Sequence, residues 1–221
     1  MDHLNTAVIL AGGKSSRMDF DKQTIMIQGQ MMPLFIADQL EGIFKSRVII
    51  SNRRELYPEE MEYPVIPDLI MDRGPKGGIL TGLTSSMEDY VYFIGCDMPF
   101  INPCFIAYMK SLIQASLSGA SGQSAAPKVI LAKKNGYPEP LNAFYSKKLL
   151  PEILRQLEEG NNKISALYRE EETLMIEEEI WRQFDPRGLM FINLNTASDY
   201  EELYESTRHY SDFHPPFRLQ K

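Results

Sequence analysis

The sequence predicts an α/β fold, a mostly parallel sheet with helices packed on both of its faces. Three observations predict it. Short apolar runs alternate with stretches of helical periodicity along most of the chain. The runs are apolar throughout, as strands covered on both faces are, instead of alternating with polar residues. Glycine-rich or charged stretches follow four of these runs, at the carboxyl ends where such sheets bind ligands.

Residues 6–10, Thr-Ala-Val-Ile-Leu, form the first buried strand, which breaks at Ala11-Gly12-Gly13. Glycine there lets the backbone turn tightly and lets a ligand approach with no Cβ in the way. A short strand is expected at 24–27, turned by Gln28-Gly29-Gln30. Pro33 opens a helix whose apolar stripe runs through Leu34, Phe35, Ile36, Leu40, Ile43 and Phe44. Residues 47–51 hold Val48-Ile49-Ile50, a strand of the parallel type, with Asn52-Arg53-Arg54 just past its end. A weak helix at 55–61 and a third strand at 63–66 follow, the strand ending at Pro67-Asp68. Residues 68–78 read as a second glycine-rich, charged loop, 79–87 as a helix, and 90–94 as a strand running into Gly95-Cys96-Asp97-Met98-Pro99. Pro103 opens a helix to about residue 117, and 118–127, small and polar, read as a surface loop.

In the second half, strands are expected at 128–132, 142–145 and 174–176, and helices at 149–159 and 164–169. Residues 191–195 alternate with period two, so Asn193 and Asn195 face the same way. Thr196 is placed to cap a helix over 197–208, and 209–221 read as a flexible tail. The organisation is one domain over 1–208, with a nucleotide-binding half of about 1–117 and an acceptor-binding half of about 128–208.

A chain of 221 residues can bury roughly 70% of its unfolded surface around one core. Its net charge of −7 argues against a broad nucleic-acid surface, yet leaves room for a local basic pocket that suits a nucleotide. No apolar run approaches the ~18 residues of a membrane span, and the chain runs straight into a strand without a signal peptide, so a cytoplasmic protein is expected. Cys96 and Cys104 lack metal-type spacing and read as reduced thiols. His3, His209 and His214 lie near the termini, which disfavours a histidine base or a zinc site.

The first loop carries Lys14, Arg17 and Lys22 along a glycine turn, an arrangement suited to phosphates. It is not a P-loop, because Val8 stands where that motif needs its first glycine, nor a dinucleotide fingerprint, because Gly12 and Gly13 are adjacent. At least one of the three cations should face phosphate, the others being ordinary surface charges. Asp97, at a strand end, is suited to hold Mg²⁺ against a nucleotide triphosphate, or is simply a turn aspartate before Pro99. Asp68 reads as a ligand for ribose or base, or as a partner of Arg73. Gly74, Gly77 and Gly78 either admit a ligand to the backbone or turn the chain with Pro75. Such residues position and neutralise phosphates, as nucleotidyl transfer requires.

Six motifs carry a family resemblance: LAGGKSSRM-(x3)-K at 10–22, PD at 67–68, GPKGGI at 74–79, CDMPF at 96–100, EPL at 139–141 and NLNT at 193–196. In this order, over about 190 residues, the chain resembles the molybdenum cofactor guanylyltransferases. The resemblance implies the three-layer, mostly parallel, Rossmann-like sheet of the nucleotidyltransferase type. It implies transfer of GMP from GTP to molybdenum-bearing molybdopterin with Mg²⁺ as cofactor, and contact with molybdenum-insertion proteins and recipient molybdoenzymes. By motif, Leu10, Ala11 and Gly12 match backbone contacts to GTP, Lys22 the phosphate-contacting lysine, and Asp68 and Asp97 nucleotide-contacting aspartates, Asp97 also being the metal ligand. Gly13, Arg17, Gly78, Asn193 and Asn195 fall in the same motifs, and Lys22, Arg17 and Asp97 form the expected catalytic set.

The chain departs from the family pattern at Asp19, where a glycine is usual, at Ile50, where asparagine is frequent, and at Lys76, where leucine is common. These departures bear on substrate choice. Rival readings are a cytidylyl or sugar/alcohol-phosphate transferase and a non-catalytic nucleotide-binding adaptor. The Ala-Gly-Gly turn favours the guanylyl branch, since cytidylyl relatives more often show Ala-Ala-Gly. The surface from Tyr137 to Asn142, with Asn193 and Asn195, is the expected pterin site.

Overall fold

The computed structural model describes residues 4–12, 21–119, 125–196, 198–199, 201–202 and 205. The all-apolar runs become neighbours in a seven-stranded sheet. Strands β1 (Thr6–Leu10), β4 (Ser46–Ile50), β5 (Val65–Ile66), β6 (Tyr90–Gly95), β7 (Val129–Lys134), β8 (Tyr137–Ser146) and β9 (Thr173–Ile176) lie in the order β5-β4-β1-β6-β8-β7-β9. β1 pairs in parallel with β4 and β6, β4 with β5 and β7 with β9. β8 alone runs against its neighbours β6 and β7. The expectation of a mostly parallel sheet therefore holds.

Every side chain of β1 is buried, and alternate residues enter two cores. Ala7 and Ile9 pack with helices α1 (Met32–Gln39) and α3 (Pro103–Leu117), whereas Val8 and Leu10 pack with α2 (Gly74–Ser85) and α4 (Leu150–Glu158). Each large apolar side chain so buried contributes about 1.5–3 kcal/mol. All four helices begin with proline in the first turn, where the missing N–H costs no hydrogen bond. A last short helix, α5 (Glu178–Trp181), carries the buried Trp181.

Several boundaries differ from the sequence reading. The expected strand at 24–27 is a hairpin of β2 (Met26–Ile27) and β3 (Gln30–Met31), turned at Gln28 and Gly29. Helix α1 ends at Gln39, and the apolar residues beyond it lie in turns. The weak helix at 55–61 is one 3-10 turn, Arg54–Leu56. Helix α2 begins at Gly74, five residues early, and its glycines serve packing: a Cβ on Gly78 would stand 2.7 Å from Leu10 Cδ2 and one on Gly82 2.5 Å from Phe93, so this face must be bare for the helix to lie on the sheet. β8 extends back to Tyr137 through Pro138 and Pro140; β6 pairs only with its last residues, 143–146, so an edge free of a β6 neighbour tolerates the prolines. Residues 192–195 are not a strand, although burial still alternates there, with Leu194 inward and Asn193 and Asn195 exposed. Among the described residues of the expected last helix, 198–199, 201–202 and 205 are helical. The Asp199 N–H donates to Thr196 Oγ1 at 3.1 Å while the Asp199 carboxylate accepts from Thr196 N–H at 2.9 Å, a reciprocal cap. The expected tail at 209–221 lies outside the described residues. Among the described residues no helix is long and apolar enough to cross a membrane.

Candidate active site

After β1 the chain continues to β4 on one side, while β6 flanks β1 on the other, so the crevice between β1 and β6 is the switch point of the sheet. The ladder runs one residue past the strands here: Ala11 N–H donates to Ile50 O at 2.9 Å and Cys96 N–H to Leu10 O at 3.0 Å. That extension holds Ala11 and Gly12 beside the loop carrying Asp97. The side chains of Leu10 and Ala11 belong to the core, which leaves the backbone as what they present at the edge. Gly13 and Arg17, with Lys14 and Asp19, lie outside the described residues.

The chain returns at Asp21. Its carboxylate accepts from Gln23 N–H at 3.1 Å and from Gln23 Nε2 at 3.0 Å, closing a short 3-10 turn over Lys22–Thr24. Gln23 is buried, and its Oε1 accepts from Ser51 Oγ at 2.6 Å and from the Tyr57 hydroxyl at 2.9 Å. This satisfied network pins the turn to the end of β4 and leaves Lys22 facing the crevice. Lys22 Nζ reaches Asp97 Oδ2 at 3.1 Å across 75 residues of sequence, and both side chains keep about a quarter of their surface exposed, 27% and 22%. Two predicted residues thus meet at the switch point.

Asp97 sits at the turn after β6, where Met98 N–H donates to Gly95 O at 3.1 Å. Its carbonyl accepts from Leu194 N–H at 2.7 Å. This bond draws Asn193 and Asn195 to the same edge, on either side of the buried Leu194. Asp68 comes to the edge from β5. Its Oδ2 accepts from Asn52 Nδ2 at 2.8 Å, its N–H donates to Asn52 Oδ1 at 2.9 Å, and Oδ2 stands 3.4 Å from where a Cβ on Gly12 would be. The other oxygen, Oδ1, is buried without a hydrogen bond. Burial holds the Asp68 carboxyl above its ordinary pKa, and the Asn52 bond partly offsets this.

Some predicted residues do other work. Gly78 is buried inside α2, where a Cβ would stand 2.7 Å from Leu10 Cδ2, so its bare face seats Leu10. The partner of Asp68 is Asn52, not Arg73. Asn142 does not line a pterin surface: its Oδ1 accepts from the Tyr92 hydroxyl at 2.7 Å and its Nδ2 donates to Met190 O, deep in the core. Lys76 is wholly buried, and its ammonium donates to Gln156 Oε1 at 2.5 Å and Asn161 O at 2.8 Å, tying α2 to α4. Both cysteines are free, and burial pushes the Cys96 thiol far up in pKa.

Sequence reading passed over Asn52 and Gln23 as site supports. The structure explains the placement of Asn52: β4 and β5 pair Ile50 with Ile66, and the same register carried two residues on sets Asn52 beside Asp68.

Residues 7–174 match the MobA-like NTP transferase domain. The molybdenum cofactor guanylyltransferase of Syntrophotalea carbinolica is 38% identical over 197 residues, covering 89% of each chain. A protein of Peptoclostridium acidaminophilum named "Probable molybdenum cofactor guanylyltransferase" is 36% identical over 203 residues, covering 92% of this chain and 90% of that one. Among solved structures, molybdopterin-guanine dinucleotide biosynthesis protein A from Archaeoglobus fulgidus superposes with a TM-score of 0.73 at 22% identity, covering 93% of this chain and all of that one. This last likeness shows the shared nucleotidyltransferase fold.

Proposed function

The chain belongs to the MobA-like NTP transferase family, and from that premise we propose that it transfers GMP from GTP to molybdenum-bearing molybdopterin, releasing pyrophosphate and forming the guanine dinucleotide cofactor. The observation that carries the reading is the Lys22–Asp97 pair at the switch point between β1 and β6. A cation and a carboxylate held at one strand edge are the pieces that in-line displacement at a phosphate needs from the protein.

Lys22 neutralises phosphate charge, and its position is held by the Asp21–Gln23–Ser51 network. The main chain at Ala11 and Gly12 flanks the nucleotide, and Asp68 offers an acceptor to it. Asn193 and Asn195, brought in beside Asp97, face the acceptor substrate. Asp97 is the residue that would hold Mg²⁺. Among the described residues no group of three or more metal-type ligands occurs, and one partly exposed carboxylate suits an ion that takes most of its ligands from phosphates and water. Mg²⁺ bound there supplies charge neutralisation for the triphosphate. The same reading has the enzyme work in the cytoplasm, whose reducing poise suits the free thiols of Cys96 and Cys104.

The test is thermal unfolding with Mg²⁺ and GTP, CTP or UTP, followed by pyrophosphate release with and without the molybdenum-bearing acceptor. GTP at about 100 times its dissociation constant should raise Tm by roughly 5–10 °C, with smaller shifts for the pyrimidine nucleotides. A preference for CTP sinks the guanylyl reading. Absence of any response points to the adaptor.

A further inference from the structure

Three consecutive residues past β4 each reach a different part of the nucleotide edge. Ser51 donates to Gln23, next to Lys22; Arg53 Nη1 lies 3.5 Å from Asp21 Oδ2; and Asn52 meets Asp68 in both directions at once. The last of these is chemically distinct. A side-chain amide is neutral and carries a donor and an acceptor side by side. Asn52 spends both on one residue, gripping Asp68 by its N–H and by one carboxylate oxygen.

The grip is incomplete. An ionised carboxylate can accept about four hydrogen bonds, yet among the described residues Asp68 Oδ1 is buried with no partner, and neither Lys76 nor Arg73 pairs with it. An acceptor taken from water and left unpaired is costly, so a fold that holds one in place holds it for something that is absent. We infer that Asn52 is a positioning residue of the nucleotide site, which fixes the rotation of the Asp68 carboxylate and reserves Oδ1 for an N–H or O–H donor that the nucleotide brings. This rests on the reading of the site as a GTP site. It goes beyond that reading in assigning a role to a residue that touches the nucleotide only through Asp68.

The alternative is that Asn52 merely fastens the end of β4 to the end of β5. A double-mutant cycle separates the two: Asn52→Ala, Asp68→Asn and the double variant, each measured for KM of GTP, kcat and the pH dependence of kcat/KM. Asn52→Ala should raise KM roughly tenfold and change kcat by less than about threefold, as expected when an interaction with bound nucleotide is lost. Its acid limb should move to higher pH, because the lost bond favoured the ionised carboxylate. In the Asp68→Asn background the same change should cost less than about twofold. Additive effects, or a wild-type KM in Asn52→Ala, overturn the inference.

Should Asn52→Ala fail to fold, Asn52→Asp keeps the shape and the acceptor for Asp68 N–H but sets a like charge against the carboxylate. It should raise KM further still, and a wild-type KM there is equally fatal. Inosine triphosphate, 2′-deoxy-GTP and 3′-deoxy-GTP identify the donor: the analogue insensitive to Asn52→Ala is the one that lacks it, and sensitivity kept by all three leaves the base N1–H. If the wild-type protein does not bind GTP, the reading of the site fails; if it binds GTP and the cycle is additive, only the role of Asn52 fails.

Discussion

The loops that follow β5 and β6 each bring one aspartate to the same edge of the sheet, in opposite surroundings. Asp97 has a cation, Lys22, on one oxygen and keeps part of its surface in water. Among the described residues Asp68 has a neutral amide as its side-chain partner, is half-buried, and carries one buried, unpaired oxygen. The difference suits two separate tasks at a shared position under the proposed function. On the proposed function, a carboxylate that must give up its lysine for a metal ion, while the lysine turns to phosphate, works best where solvent and a mobile side chain can follow it. A carboxylate that must recognise a fixed donor works best rigid and desolvated, where a hydrogen bond gains most and a missing one costs most.

The largest effect is expected from breaking the exposed member. Asp97→Ala should lower pyrophosphate release by a factor of about 10²–10³, the range for losing a group that acts on developing charge. The fold should survive. The Asp97–Lys22 pair is partly exposed, so its loss costs about 0–1 kcal/mol, and the bond from Leu194 goes to the Asp97 backbone carbonyl, which the substitution keeps. Turnover near that of the wild type, measured together with an unchanged circular dichroism spectrum, would show that the metal is held elsewhere.

A smaller and differently signed effect is expected at Asp68. Burial raises its pKa in the folded protein, so the folded state holds its proton to higher pH than the unfolded chain does. Stability therefore falls as pH rises through that folded value, and at neutral pH the charge is a net cost. Asp68→Asn should raise the Tm of the free protein at pH 7, a gain that disappears below the ordinary carboxylate pKa. The same variant should raise KM for GTP roughly tenfold. A fall in Tm at pH 7 would mean that Asp68 is stabilised by partners and is not strained, and the contrast between the two aspartates would collapse.

Much of this frame is legible in the sequence. The apolar runs at β1, β4 and β6 leave little choice but a covered parallel sheet, and Pro33 and Pro103 mark two of the helix starts. Asp97 and Lys22 stand out because each follows or closes a loop at a strand end. What stays hidden depends on contact. Gly74, Gly77 and Gly78 read as loop because glycine disfavours helices, and only the approach of α2 to Leu10 at Gly78 shows why a helix there needs glycine. Asn142 looks polar and therefore exposed, but Tyr92 and Met190 supply partners inside the core. The Asn52–Asp68 pair needs the β4–β5 register, which follows from pairing and not from either stretch alone.

Lys76 gives the smallest effect and the sharpest control on that contrast. By sequence it is the nearest lysine to Asp68 and adds a charge to the second glycine-rich loop. The fold instead buries it completely and spends its ammonium on Gln156 and Asn161. Lys76→Met, which keeps the length of the stem and removes the charge, should therefore leave KM for GTP and kcat within about twofold of wild type, against the roughly tenfold change expected at Asp68. Its effect should fall on stability and depend on pH. Burial lowers the Lys76 pKa in the folded protein, so between that value and the ordinary lysine value the unfolded chain binds the extra proton. The wild type then gains stability as pH rises through this window, since the neutral amine keeps its donors and sheds the desolvation cost, while Lys76→Met has no such term. Thermal unfolding of both proteins at pH 7 and near pH 10 should show the wild type gaining on the variant at the higher pH. A constant gap would mean that the ammonium is not strained by burial, and a large rise in KM would place Lys76 among the groups that face the nucleotide.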